Sequence, residues 1–228
     1  MKTLAIVPIQ SEADFLMQAI IEEGYQGEKA QIGRLPAVHV PELSLTLACG
    51  GLGKVQFAVQ TQHLLDMCSD WDLVLCAGAA GALVDGLAVG DVLVATETVE
   101  HDIRNQFGEP LLPSFGGDAA AVAELRSLAP LCPSFQVHVG PVASGDEDVV
   151  DCDRRRTLHE RTGAVAVAWE GAGGARACRF SGIPFVEIRG ITDRADSDAA
   201  LDFERNLRGA MANMALLLVR WLHRRVTP

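Results

Sequence analysis

Three carboxylates from distant parts of the chain, Glu12, Glu170 and Asp193, each stand at the border of a strand-like apolar run. Glu12 follows Leu4-Ala5-Ile6-Val7. Glu170 follows Val167-Ala168-Trp169, and Asp193 closes Arg189-Gly190-Ile191-Thr192-Asp193 after the apolar run Ile183 to Ile188. Strand ends are where an α/β sheet presents its ligand groups. Carboxylates gathered there can move a proton or favour a positive charge that develops during reaction. Taken singly, each acid has a simpler explanation. Glu12 and Glu170 both open a helix, where a negative charge suits the helix dipole, and Asp193 in Thr192-Asp193-Arg194 is a fitting cap residue. Their coincidence at strand ends argues for an active site built on a sheet.

Small residues surround these acids. Gly171-Ala172-Gly173-Gly174-Ala175 follows Glu170 directly, so something must approach that helix backbone closely. Gly50-Gly51-Leu52-Gly53-Lys54 looks like a phosphate-binding loop but lacks the GxxxxGK[ST] spacing, and no GxGxxG fingerprint is present. These glycines read as a tight strand-to-helix turn. Ser144-Gly145-Asp146 ends a strand with ordinary turn residues.

The elements that must position these groups follow from periodicity. Leu4 to Val7 reads as a buried strand and Glu12 to Glu23 as a helix with Phe15, Leu16, Ala19 and Ile20 on one face. Val38 to Val40 and Leu43 to Ala48 form a hairpin around Pro41-Glu42. Lys54 to Met67 is a helix with Val55, Ala58, Val59, Leu64 and Leu65 in register. Leu73-Val74-Leu75-Cys76 is a central strand, which Gly78-Ala79-Ala80-Gly81 then turns. Val92 to Thr96 is a further strand. His101 to Asp118 reads as a long surface excursion, a type of loop that is usually functional or interface-forming. A helix at 119–128, a strand at 137–142 and a helix at 153–161 follow. The chain closes with strand 164–168, helix 171–180, strand 184–190 and an amphipathic helix over 201–222. Alternation of this kind predicts helices on both faces of a mixed, mostly parallel sheet. No repeat or linker divides residues 1–228, which are expected to form one domain.

Composition excludes several function classes. Hydrophobic residues make up 49% of the 228, and the formal charge is −11. An acidic chain with only two short basic clusters, Arg154-Arg155-Arg156 and His223-Arg224-Arg225, is not built for nucleic acid. No apolar run is long enough for a membrane span or a signal peptide, which predicts a cytoplasmic protein. The six cysteines lack metal-site spacing and read as reduced thiols.

In chain order, eight short motifs carry a resemblance. They are Glu12 after the first strand, Gly51-Leu52-Gly53-Lys54-Val55, Ala77-Gly78-Ala79-Ala80-Gly81, Val89-Gly90-Asp91, His101-Asp102, Ser144-Gly145-Asp146, Trp169-Glu170 and Ile191-Thr192-Asp193. Together they resemble the nucleoside phosphorylase/nucleosidase superfamily over nearly the whole chain, and within it the methylthioadenosine/S-adenosylhomocysteine nucleosidases. The resemblance implies a three-layer α/β sandwich around a twisted mixed sheet. It implies hydrolysis of the N-glycosidic bond of a purine nucleoside, with Glu12 activating water, Glu170 holding the ribose hydroxyls and Asp193 helping to protonate N7 of the leaving base. It implies no metal and no organic cofactor. A homodimer is also implied, in which Phe107 and Pro113 cross to line the neighbouring subunit's pocket.

The chain departs from the family at several substrate-binding positions. Ala79 stands where the family has Ser or Thr, which favours water over phosphate as nucleophile. Asp148, beside Val149, occupies the place of the aromatic residue on which adenine stacks. Trp169 replaces a methionine at the ribose, and Ala168 replaces a glutamate. Futalosine-type nucleosides, phosphorolysis on the same fold, and nucleoside binding without turnover are the alternative readings.

Overall fold

Leu4 and Ile6 pack to one side of the first strand while Ala5 and Val7 pack to the other, so this strand lies between two cores. Such burial on both faces is what a near-continuous apolar run requires. The structure, a computed structural model, describes residues 1–68, 70–109 and 111–226. Its elements are β1 (Thr3–Val7), α1 (Gln10–Glu22), β2 (Glu28–Ile32), β3 (Leu35–Val40), β4 (Leu45–Cys49), α2 (Lys54–Met67), β5 (Leu73–Ala82) and β6 (Val92–Glu100). Then come β7 (Ser114–Gly116), α3 (Ala119–Ser127), β8 (Val137–Ser144), α4 (Cys152–Thr162), β9 (Ala166–Ala168), α5 (Gly171–Ser181), β10 (Phe185–Asp193) and α6 (Ala199–Val226).

The α/β class and the mixed central sheet are as expected. Strands run in the order β10-β6-β8-β9-β5-β1-β4-β3-β2, with β7 on β6, and β10 also pairs with β5. That second pairing closes β5, β10, β6, β8 and β9 into a ring, a closure that the layered sheet expected from sequence does not include. Nor do parallel contacts predominate: among the described residues five pairings are parallel and five antiparallel. β1, β5 and β10 run parallel, so their C-terminal ends converge.

Helices cover the sheet from two sides. Leu16 and Ile20 of α1 join Met211, Met214, Leu218 and Trp221 of α6 over Ala5, Val7 and Leu75. On the other side Phe57 and Leu64 of α2 meet Ala172, Ala175 and Cys178 of α5 over Leu4, Ile6 and Val74. The i, i+3, i+4 spacing of apolar residues in α6, from Leu207 to Leu222, is the stripe such packing needs. No helix among the described residues is long and apolar enough to cross a membrane.

Three expectations change. Gly78 to Gly81 is not a turn. It continues β5, whose ten residues are all buried, and its small side chains admit neighbours rather than bend the chain. In α2 the buried residues are Phe57, Thr61, Leu64 and Leu65, whereas Val55 and Val59 are 75% and 64% exposed. The expected register for that helix was off because two valines face outward. β2 was not anticipated at all, since Glu28-Lys29-Ala30-Gln31-Ile32 is an exposed edge strand without apolar alternation. The glycine turn before α2 does hold: Gly51 and Gly53 have φ of 85° and 81°, a region that glycine enters without steric cost.

Trp221 anchors the α1–α6 side. It is 1% exposed, and its indole Nε1–H donates to Glu124 Oε2 at 2.8 Å. Trp221→Ala should lower stability by about 3–5 kcal/mol through the cavity it leaves. Trp221→Phe should cost distinctly less. Urea unfolding of both variants beside the parent protein measures the difference.

Candidate active site

A cavity of about 560 Å³ opens where β1, β5, β9 and β10 end, and Glu12, Glu170 and Asp193 all line it. Three acids as far apart in sequence as Glu12 and Asp193 are thus brought together. Each accepts a hydrogen bond from a backbone N–H of another segment or of the residues just beyond it: Ala79 in β5 for Glu12, Gly53 before α2 for Glu170, and Ala195 past β10 for Asp193.

Glu12 sits in the first turn of α1 and is 3% exposed. Its Oε1 accepts a hydrogen bond from Ala79 N at 2.7 Å, and its Oε2 accepts one from Ile9 N at 3.3 Å. Burial disfavours the charged form more than these bonds and the nearby Arg189 favour it. The carboxyl is therefore pushed up to about 7. Glu170 precedes α5, and its Oε1 accepts from Gly53 N at 3.2 Å. Burial raises its pKa too, against the pull of Arg189. Ser144 fixes the backbone on both sides of it, donating to Trp169 O at 2.6 Å and accepting from Ala172 N at 2.9 Å. Asp193 ends β10. Its Oδ1 accepts from Ala195 N at 2.9 Å and its Oδ2 from Thr192 Oγ1 at 2.8 Å. Burial outweighs both bonds and raises its pKa, with Asp196 and Asp202 adding to the shift.

Arg189 is the functional residue that sequence reasoning missed. It lines the cavity, is 1% exposed, and is the only lysine or arginine among the described lining residues. Its Nε donates to Glu187 Oε1 at 2.7 Å, its Nη1 donates to Ala79 O at 3.1 Å, and its Nη2 lies 3.6 Å from Glu170 Oε2. Glu187 in turn accepts from Thr98 Oγ1. The surrounding carboxylates hold the guanidinium firmly in its charged form. A signal was present in the chain: Glu187 and Arg189 are two apart in a strand, so both side chains leave the same face.

The small residues of β5 now have a purpose. A Cβ on Gly78 would stand 2.8 Å from Arg189 Nη1 and 3.1 Å from Glu12 Oε1, and one on Gly81 would stand 2.7 Å from Asp193 Oδ1. These glycines let the charged side chains lie against the strand.

Of the other residues singled out from sequence, Ala79, Asp148, Val149, Ala168 and Trp169 line the cavity. Trp169 is half-buried, Val149 is buried and Asp148 is exposed at the rim. Phe107 and Pro113 do not line it, and the Phe107 ring is fully exposed. Leu52, Glu147 and Phe203 also border the cavity. Glu147 is occupied by Arg154, which reaches it through Nε at 2.7 Å and Nη2 at 2.6 Å.

Comparison with known proteins gives a consistent result. The family profile described as Phosphorylase superfamily matches residues 4–223. A 5'-methylthioadenosine/S-adenosylhomocysteine nucleosidase of an Exiguobacterium strain is 32% identical over 189 residues, covering 79% of this chain and 81% of that protein. One from Geobacillus thermodenitrificans is 30% identical, covering 96% and 95%. Among solved structures, a mutant Helicobacter pylori nucleosidase with 5'-methylthioadenosine in its active site is similar with a TM-score of 0.88. The identity is 25%, and 98% of each chain is covered.

The raised pKa of Glu12 makes a prediction about stability. The folded state holds the proton of this carboxyl more tightly than the unfolded chain does. Its contribution is therefore fully present below the ordinary carboxylate range and is lost as pH rises through about 7. Glu12→Gln removes the cost of burying the ionised form. The variant should gain stability relative to the parent between about pH 5 and about pH 8. Thermal unfolding midpoints across that range test it, and a difference that does not grow with pH contradicts it.

Proposed function

Since the chain belongs to the phosphorylase superfamily, in the branch of the 5'-methylthioadenosine/S-adenosylhomocysteine nucleosidases, we propose that it hydrolyses the N-glycosidic bond of purine nucleosides of that type. The products are free base and a ribosyl sugar. Residues 1–228 act as one domain, with helix layers on both sides of the sheet in the manner of a three-layer sandwich.

The observation that carries the reading is Glu12, a buried carboxyl facing the cavity with a pKa of about 7. A general base works best when its pKa lies near the working pH. In this reading Glu12 takes a proton from the water that attacks C1′ of the ribose. Glu170 accepts hydrogen bonds from the ribose hydroxyls, and its negative charge favours the oxocarbenium-like transition state. Asp193, with its pKa raised by burial, enters as the acid and gives its proton to N7 of the leaving purine. Arg189 keeps Glu170 oriented and lowers the cost of holding several carboxyls in one cavity. Trp169 offers the base an aromatic face in place of the one missing at Asp148, and Ala79 and Val149 complete the wall. No metal or organic cofactor takes part.

Water rather than phosphate is the nucleophile. A phosphate dianion needs free cations and hydroxyls. Ala79 supplies none, Arg189 is engaged by Glu187, Glu170 and Ala79 O, and Glu12 repels an anion.

The working unit is a cytoplasmic homodimer. Val55, Val59 and Phe107 are large apolar residues left exposed, and burial against a second copy would remove them from water. In the dimer Phe107 and Pro113 reach the neighbouring cavity, which explains why they do not line their own.

Incubation with methylthioadenosine, adenosylhomocysteine, inosine and futalosine, with and without phosphate, tests the reaction. Release of adenine and a free sugar from the first two, independent of phosphate, is expected. A sugar 1-phosphate formed only when phosphate is present would make the protein a phosphorylase instead. Asp193→Asn should leave the fold intact and lower turnover by roughly 10²-fold or more. The same variant should lose the alkaline limb of the pH profile, since that limb reports loss of the acid's proton. Turnover near that of the parent removes Asp193 from the mechanism.

A further inference from the structure

Three sequence motifs supply no group to the chemistry above: Gly51-Leu52-Gly53-Lys54, His101-Asp102 and Ser144-Gly145-Asp146. In the folded chain they meet one another. Lys54 Nζ pairs with Glu100 Oε1 at 2.8 Å and with Asp102 Oδ1. The second oxygen of Asp102 accepts from Asp146 N at 2.9 Å. Asp146 Oδ1 accepts from Lys54 N at 2.8 Å and closes the circuit. Lys54, Asp102 and Asp146 thus form a ring that holds the first turn of α2 against the end of β8.

Glu170 is attached to this ring from both directions. Gly53 immediately precedes Lys54, and its N–H is the donor to Glu170 Oε1. Ser144 lies two residues before Asp146 and grips the backbone on either side of Glu170. The Lys54 side chain is 15% exposed and the Glu100 side chain 8%. Arg176 also reaches Glu100, at 2.5 Å, but no other cation pairs with Asp102 among the described contacts. Without Lys54, Asp102 would face Glu100 across a partly buried gap, and two like charges there would move apart. The start of α2 would move with them, carrying the Gly53 N–H away from Glu170.

We propose that Lys54 is a positioning residue for Glu170, and that through Asp102, Asp146 and the Gly53 N–H it sets how well the site recognises ribose hydroxyls. The proposal rests on the reading that Glu170 holds those hydroxyls.

The test compares kcat and KM for methylthioadenosine and for its 2′,3′-dideoxy counterpart. The proteins are the parent, Lys54→Met, Lys54→Arg, Asp102→Asn and Glu170→Gln. A carboxylate displaced by about an ångström can cost on the order of 10²-fold. Lys54→Met is therefore expected to lose about tenfold or more in kcat/KM on the ribonucleoside, chiefly through KM, and far less on the dideoxy compound. Lys54→Arg should recover most of the loss. Asp102→Asn should show the same selectivity in weaker form, and it carries the comparison if Lys54→Met does not fold. Equal losses on the two substrates, or no loss, in the Lys54 and Asp102 variants while Glu170→Gln remains selective would overturn the positioning role alone. Equal losses in Glu170→Gln itself would overturn the ribose reading and the proposal with it.

Discussion

A guanidinium buried almost entirely at the floor of the cavity governs the centre of this molecule. An ion moved from water into a protein interior costs several kcal/mol even after relaxation, unless opposite charges and hydrogen bonds surround it. Arg189 meets that condition through Glu187, Glu170 and the carbonyl of Ala79. Each partner imposes its own requirement. Glu187 must be buried beside Thr98, β5 must bring its backbone within reach, and Gly78 must carry no side chain. The acids of the cavity are stable at close quarters because this one cation stands among them. Burial still leaves Glu12 near neutrality rather than at an ordinary carboxylate value.

Ring closure of the sheet serves the same end. β10 lies beside β5 on one edge and β6 on the other, so the strand carrying Glu187, Arg189 and Asp193 is fixed along both sides. Backbone N–H groups then aim at the carboxylates: Ala79 at Glu12, Gly53 at Glu170, Ala195 at Asp193. None of these donors depends on a mobile side chain.

Much of this was legible in the chain, and the reasons for the rest are physical. Glu12, Glu170 and Asp193 could be found because an acid at the edge of an apolar run breaks the pattern visibly. Gly78 to Gly81 was misread because glycine in a short segment usually marks a turn, whereas here it marks the close approach of charged groups. Arg189 escaped notice because an arginine in a strand ordinarily faces water. Only its pairing with Glu187 two residues earlier hinted otherwise. The exposure of Val55 and Val59 could not be read from α2, since Phe57, Thr61, Leu64 and Leu65 make an equally good stripe. Closure of the ring depends on β10 meeting both β5 and β6, residues about a hundred positions away, and no local pattern encodes that.

The lining of the cavity divides into a floor and a margin with different freedom to vary. Arg189, Asp193 and Ala79 belong to the strand ring, and Glu12 and Glu170 are bonded to its neighbours, so each is tied to several others. Leu52, Asp148 and Phe203 border the same space from a loop, a strand-to-helix connection and the start of α6, and Asp148 has no side-chain partner among the described contacts. Exchange at such positions leaves the charge balance beneath untouched. The architecture therefore separates the reaction from the choice of what undergoes it, so that a lineage can drift toward a new nucleoside by single steps at the margin while its chemistry is inherited whole.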